Sequence, residues 1–249
     1  MFDLNLFLFI IFISHGFCDF VPLLLNLKIN TIFFYILLIF INIYLHIISP
    51  DISTLLFVII SSIHFSGDFI PRNRVTLIGP GYLILGLPAI LDRYTYIYYL
   101  KYLEIYNYNL FLSLLYFGTT ISFFKYFSIY NRNRLNYFII FYTVLTVIYG
   151  VHVVYYYMVL YHLPISLIEL VKQYNYKCII VSMIIGFVSI FCLLNIILSL
   201  YTQINIINYI NINKKIIFGT LFGLLNSHSL TTLLWRNLIL KNIKNITYK

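Results

Sequence analysis

Apolar residues fall in long unbroken runs along this chain, with short polar breaks between them. The runs are about 20 residues long, the length a helix needs to cross a hydrocarbon core. They do not alternate in the roughly 10-residue segments of a membrane barrel. The pattern therefore predicts an all-α, polytopic integral membrane bundle of about 7–9 transmembrane helices in a single domain, residues 1–249.

In chain order the spans are expected at 4–25, 31–49, 52–65, 75–91 and 110–127. A long apolar segment follows at 136–168, then spans at 178–201 and 216–240. The run at 4–25 has no basic segment before it and no small-residue cleavage site after it, so it reads as a retained span. The run at 75–91 is interrupted by Gly79-Pro80-Gly81, Gly86 and Pro88. Broken helices at membrane depth occur where backbone is buried in protein or lines a cavity, and a cavity is the expectation here. The tyrosine-rich connection 92–109 is expected at the lipid–water interface. The segment 136–168 is on the order of 45 Å long if wholly helical, more than a roughly 30 Å core requires. It is read as one long tilted helix, with two helices broken near Gly150 as the alternative.

Composition agrees with the pattern. The chain is 62% hydrophobic and 9% charged, against about 25% charged in soluble domains. Mean hydropathy is +0.94. The net charge of +9 is assigned to lysine and arginine in the loops, so no nucleic-acid partner is expected. Three cysteines in apolar runs form no CxxC pair and say little about redox compartment. The expected location is multi-pass in the cell membrane.

Ionisable side chains inside such runs are costly and mark candidate sites. His15 and Asp19 stand four residues apart in the first run, and His64 and Asp68 repeat the spacing. On a helix, i and i+4 share a face, so each His has a carboxylate beside it if the helix continues. A metal-bound His commonly passes its second ring N–H to such a carboxylate. The same pairs also serve as plain helix-packing contacts. His162 follows an aromatic run, Tyr155 to Tyr161, and stands four residues before Ser166. His228 lies in Asn226-Ser227-His228-Ser229, within the last run. His46 reads as interfacial and structural, and His152, about 15 Å from His162 along a helix, as structural or gating. Several neutral imidazoles from separate helices suit iron or zinc. In an apolar surrounding, iron points to oxygen chemistry on a hydrophobic substrate. No HExxH motif supports a zinc hydrolase.

These motifs, in order, resemble a known family. His15-Gly16-Phe17-Cys18-Asp19 is similar to its HGxxD, and His64-Phe65-Ser66-Gly67-Asp68 to its HFGxxD-type motif, one residue tighter. Gly79-Pro80 to Pro88-Ala89 resembles the glycine-rich, proline-broken span that follows. Tyr156 to His162 resembles the aromatic approach to its HxxxH, and Ser227-His228 falls at its Pro-His pair. The family is Brp/Blh, the membrane β-carotene 15,15′-dioxygenases that supply retinal to microbial rhodopsins. The resemblance implies Fe(II) held by His15, His64 and His162, which would be the catalytic ligands. It places Asp19 and Asp68 behind those ligands, and the place of the missing fourth ligand falls either to a water or to His228. It implies cleavage of β-carotene by O₂ into two all-trans retinals, with the bilayer and a rhodopsin acceptor as partners. The family's fourth His falls on Ser166 here, so the alternative is a non-catalytic carotenoid- or retinal-binding relative, or a rhodopsin partner.

Overall fold

The computed structural model describes residues 29–70, 75–128 and 133–173 and, with gaps, 176–188 and 215–230. Every regular element among the described residues is helical, as the continuous apolar runs require. In chain order these are α1 (Ile29–Ile48), α2 (Pro50–Ser66), α3 (Gly81–Leu91), α4 (Arg93–Tyr102) and α5 (Tyr108–Phe123). A π-helical turn, Phe124–Ser128, extends α5. Then come α6 (Asn133–Tyr149), α7 (His152–Tyr157), a second π-helical turn (Met158–His162) and α8 (Leu163–Gln173). The only described helix long and apolar enough to cross a membrane is Tyr108–Phe127.

The chain divides into two compact units. One comprises Met1–Ser53 and Leu163–Thr231, the other Thr54–His162 and Thr232–Lys249.

The unit holding Thr54–His162 is built on α3, and the proline and glycines of α3 explain how it packs. Pro88 lies inside α3 and has no N–H to offer the carbonyl of Ile84 four residues back. The Tyr142 hydroxyl of α6 donates to that carbonyl instead, at 2.8 Å. Before the helix, Ser122 Oγ donates to the Gly79 carbonyl at 2.8 Å, and the Gly81 N–H donates to Ser66 Oγ at 2.9 Å. Thr119 Oγ1 and Tyr116 Oη serve the carbonyls of Tyr82 and Ala89. The glycines allow close approach. A Cβ on Gly81 would overlap the Ser62 backbone, and one on Gly86 would overlap the Thr119 side chain. The broken backbone is thus buried against α2, α5 and α6 and satisfied by their side chains. Of the two conditions that permit a broken helix in an apolar layer, burial in protein is met here.

The expectation of a single helix over 136–168 is corrected. Gly150 adopts φ +59°, a left-handed conformation that ends α6, and α7 starts two residues later. Phe138 and Tyr161 then meet with ring centroids 5.0 Å apart. Along a straight helix they would be separated by roughly 35 Å. The segment is a helical hairpin. Its turn is held from α4's leading edge, where Asp92 Oδ2 accepts the Val151 N–H at 3.1 Å.

In the other unit, α1 packs against the helical residues 218–230. Gly219 and Gly223 let that helix approach Ile43 and Ile39 so closely that a Cβ would lie 2.7 and 2.9 Å from their Cα atoms. The amide of Asn226 donates to Asn42 Oδ1 at 2.7 Å, and Ser227 Oγ donates to the Tyr35 carbonyl. His46 is buried, with the Phe222 ring edge-on at 5.3 Å and Phe218 beside it.

Candidate metal centre

Within the unit that contains Thr54–His162, one cluster collects three of the side chains singled out by sequence. His64 lies in the last turn of α2, which ends at Ser66. Gly67, Asp68 and Phe69 continue as a tight turn, each N–H bonding three residues back. Asp68 is therefore off the helix and does not lie one turn above His64 on a common face. Its carboxylate turns instead to the hairpin: His162 Nδ1 donates to Asp68 Oδ2 at 2.8 Å. The expected His64–Asp68 pair is replaced by His162–Asp68 because Gly67 stops the helix one residue too early.

His162 owes its position to a proline. Pro164 cannot donate to the carbonyl of Leu160, and the chain widens into the π-helical turn Met158–His162 immediately before it. In a regular α-helix, residues five apart point about 140° away from each other. In the wider turn Tyr157 and His162 face the same way, with rings inclined by 27° and centroids 6.3 Å apart. Both reach one oxygen. The Tyr157 hydroxyl donates to Asp68 Oδ2 at 2.6 Å.

These bonds define the chemistry of the pair. A neutral His162 that donates through Nδ1 carries a bare lone pair on Nε2. That nitrogen faces Nε2 of His64 at 3.2 Å. Two imidazole nitrogens bound to one ion at about 2.1 Å stand roughly 3.0–3.4 Å apart, for angles between 90° and tetrahedral. The separation also suits a direct N–H···N bond, with His64 as donor. His64 and His162 are thus close enough to ligate one metal ion, with Asp68 fixing one ligand from behind. The Asp68 and His162 side chains are only 3% and 1% exposed. Phe65 closes the cluster edge-on to His162 at 4.9 Å, and Phe69 stacks on Tyr161 at 5.7 Å.

His15 and Asp19 are outside the described residues. His228 is buried in the helical residues 218–230, and Ser166 is buried in α8. His152 opens α7 at the hairpin turn, its ring edge-on to Tyr99 at 6.2 Å. Sequence reasoning missed Tyr157. It stood in the quoted aromatic run, but its i, i+5 relation to His162 is not one that helix periodicity brings together. Comparisons with protein-family models, with curated proteins and with solved structures find no match for this chain.

Proposed function

We propose that this chain is a multi-pass membrane protein that holds iron at His64 and His162 and oxidatively cleaves an apolar polyene. β-Carotene, cut at its central double bond to two retinals, is the substrate that the Brp/Blh resemblance nominates. The observation that carries the proposal is the facing Nε2 pair at 3.2 Å, with His162 held through Nδ1 by a buried carboxylate. Neutral imidazoles suit several transition metals, and the choice of iron rests on the resemblance. His15 and His228 are the sequence-based candidates for further donors.

The distribution of polarity supports the membrane reading. Helix α5 exposes Leu110, Leu114 and Phe117, and α6 exposes Ile140, Phe141, Val144, Val147 and Ile148. The same unit buries Ser61, Ser62, Thr119, Ser122 and Thr146 with His64 and His162. Contiguous exposed apolar surface with polar groups turned inward fits a lipid solvent. The expected interfacial tyrosines Tyr94, Tyr98 and Tyr102 on α4 are exposed as well.

In this reading His64 and His162 bind the ion, and Asp68 keeps the His162 lone pair directed at it. The iron, when bound, supplies the capacity to react O₂ with the substrate. Phe65, Phe69 and the neighbouring tyrosine rings exclude water and offer an apolar flank to a polyene. The test is expression in bacteria that make β-carotene, followed by retinal and metal analysis of the purified protein. Bleaching with retinal and about one iron per chain is the expected result. Coloured cells that contain well-expressed protein and no retinal refute the activity.

Ser166 favours a second reading. It stands where the family has its fourth His and is buried. A chain short of that ligand would bind carotenoid or retinal without cleaving it, alone or with a rhodopsin. Pigment that co-purifies intact, on protein free of iron, selects this reading. Ser166→His then gains retinal formation.

A further inference from the structure

We infer that Tyr157 is the residue that sets the tautomer of His162, acting through Asp68. The inference deepens the metal-site reading and rests on it for its consequence, while its geometry stands by itself. Asp68 sits in the turn after α2, where no helical register fixes its side chain. Among the described residues its carboxylate is gripped by two donors, and both use Oδ2: the Tyr157 hydroxyl at 2.6 Å and His162 Nδ1 at 2.8 Å. The shorter bond comes from Tyr157. Tyr157 is clamped by Phe65 edge-on at 5.5 Å, by Tyr142 edge-on at 6.0 Å and by Tyr161 stacked at 5.6 Å. Its hydroxyl thus holds Oδ2 where Nδ1 of His162 must find it.

The consequence falls on the opposite nitrogen. A neutral imidazole left to itself favours the proton on Nε2, the nitrogen that faces His64. That tautomer places N–H where the ion needs a lone pair. An acceptor fixed at Nδ1 draws the proton to the far side and leaves Nε2 open. Tyr157 makes no contact with the ion in this scheme. It is a positioning residue, two hydrogen bonds removed, and the π-helical turn is what brings it onto the same oxygen as His162.

The test uses full-length protein labelled with ¹⁵N-histidine, purified without metal, with His162 assigned by its loss in His162→Gln. In the wild type His162 should show a protonated Nδ1 and a bare Nε2. Tyr157→Phe keeps the ring and its packing, and should shift His162 to a mixture or to Nε2–H. Tyr161→Phe, which alters the neighbouring hydroxyl, should leave His162 as it was, and an unmoved His46 resonance reports an intact fold. Zinc added as a probe should bind about tenfold more weakly to Tyr157→Phe. An Nε2–H His162 in the wild type overturns the inference without any variant, and so does an unchanged tautomer in Tyr157→Phe. Zinc that leaves both His64 and His162 resonances of the wild type unmoved, with the tautomer still dependent on Tyr157, removes the metal reading and keeps this one.

Discussion

Gly150 carries the sharpest stability prediction, because three consequences of one added methyl can be worked from the structure. Gly150→Ala first forces an L-residue into φ +59°, at about 1–2 kcal/mol. The new Cβ then overlaps the Asp92 carboxylate, which must move. Moving it breaks the bond from the Val151 N–H, and a hydrogen bond to a charged group contributes roughly 1.5–3 kcal/mol. The sum is about 2.5–5 kcal/mol if the carboxylate finds no new partner. For a chain of this size that is a fall on the order of 10 °C in apparent melting temperature in detergent. Asp92→Ala removes both the bond and the overlap, so the two substitutions should not add. The double variant should lose less than the sum by at least about 1 kcal/mol, since the residues touch. A neutral Gly150→Ala, or strict additivity with Asp92→Ala, refutes the hairpin turn as described.

Other outcomes follow from the same geometry. His162→Ala and His64→Ala should each abolish stoichiometric metal in purified protein, measured by elemental analysis; full occupancy in either removes that residue as a ligand. Tyr142→Phe strips the Ile84 carbonyl of the donor that replaces Pro88's missing N–H, and should destabilise by roughly 1–2 kcal/mol in denaturant titration. Burial, and secondarily the neighbouring Tyr116, push the Tyr96 phenol well above its usual range. The folded chain therefore keeps this proton where the unfolded chain releases it. Its contribution to stability is complete below about pH 10 and declines as pH rises above that. Tyr96→Phe should flatten that alkaline decline in a melting-temperature profile.

The helices themselves were legible because continuous apolar runs have one economical fold, and the start of α3 was legible because Gly79-Pro80 cannot sit inside a helix. The hairpin was legible only as the alternative of two helices broken near Gly150. A single glycine within an apolar stretch reads the same whether the helix bends or reverses, and the deciding contact comes from Asp92, far away in sequence. The H-x-x-x-D spacing at His64 correctly drew attention to both residues but implied the wrong pairing, since the spacing has meaning only while the helix lasts. Tyr157 was hidden for the reverse reason. Its five-residue offset from His162 has no α-helical meaning and acquires one only in a π-helical turn.

The reversal at Gly150 also changes where the end of the chain is expected. With one helix over 136–168, the loop lysines and arginines of the expected spans divide almost evenly between the two sides, and no orientation is favoured. With a hairpin, every later loop changes side. Lys28, Arg72, Arg74, Arg132, Arg134, Lys172 and Lys177 then share a side with the tail lysines Lys241, Lys244 and Lys249. Only Arg93, Lys101, Lys214 and Lys215 lie opposite. The excess of basic residues in short loops sets orientation, so the tail is expected in the cytoplasm and the α6–α7 turn on the far side. In the proposed membrane reading that far side would also receive α4, whose exposed tyrosines suit a headgroup layer and which follows Asp92, the residue that holds the turn. The pair at His162 would then sit about ten residues, or roughly 15 Å, below that surface, close to the middle of a 30 Å core. Reporter fusions in bacteria test this directly. A fluorescent protein at residue 249 should light up, and alkaline phosphatase inserted at Gly150 should be active. Active phosphatase at the C-terminus instead would mean that the two halves of the hairpin do not both cross the bilayer.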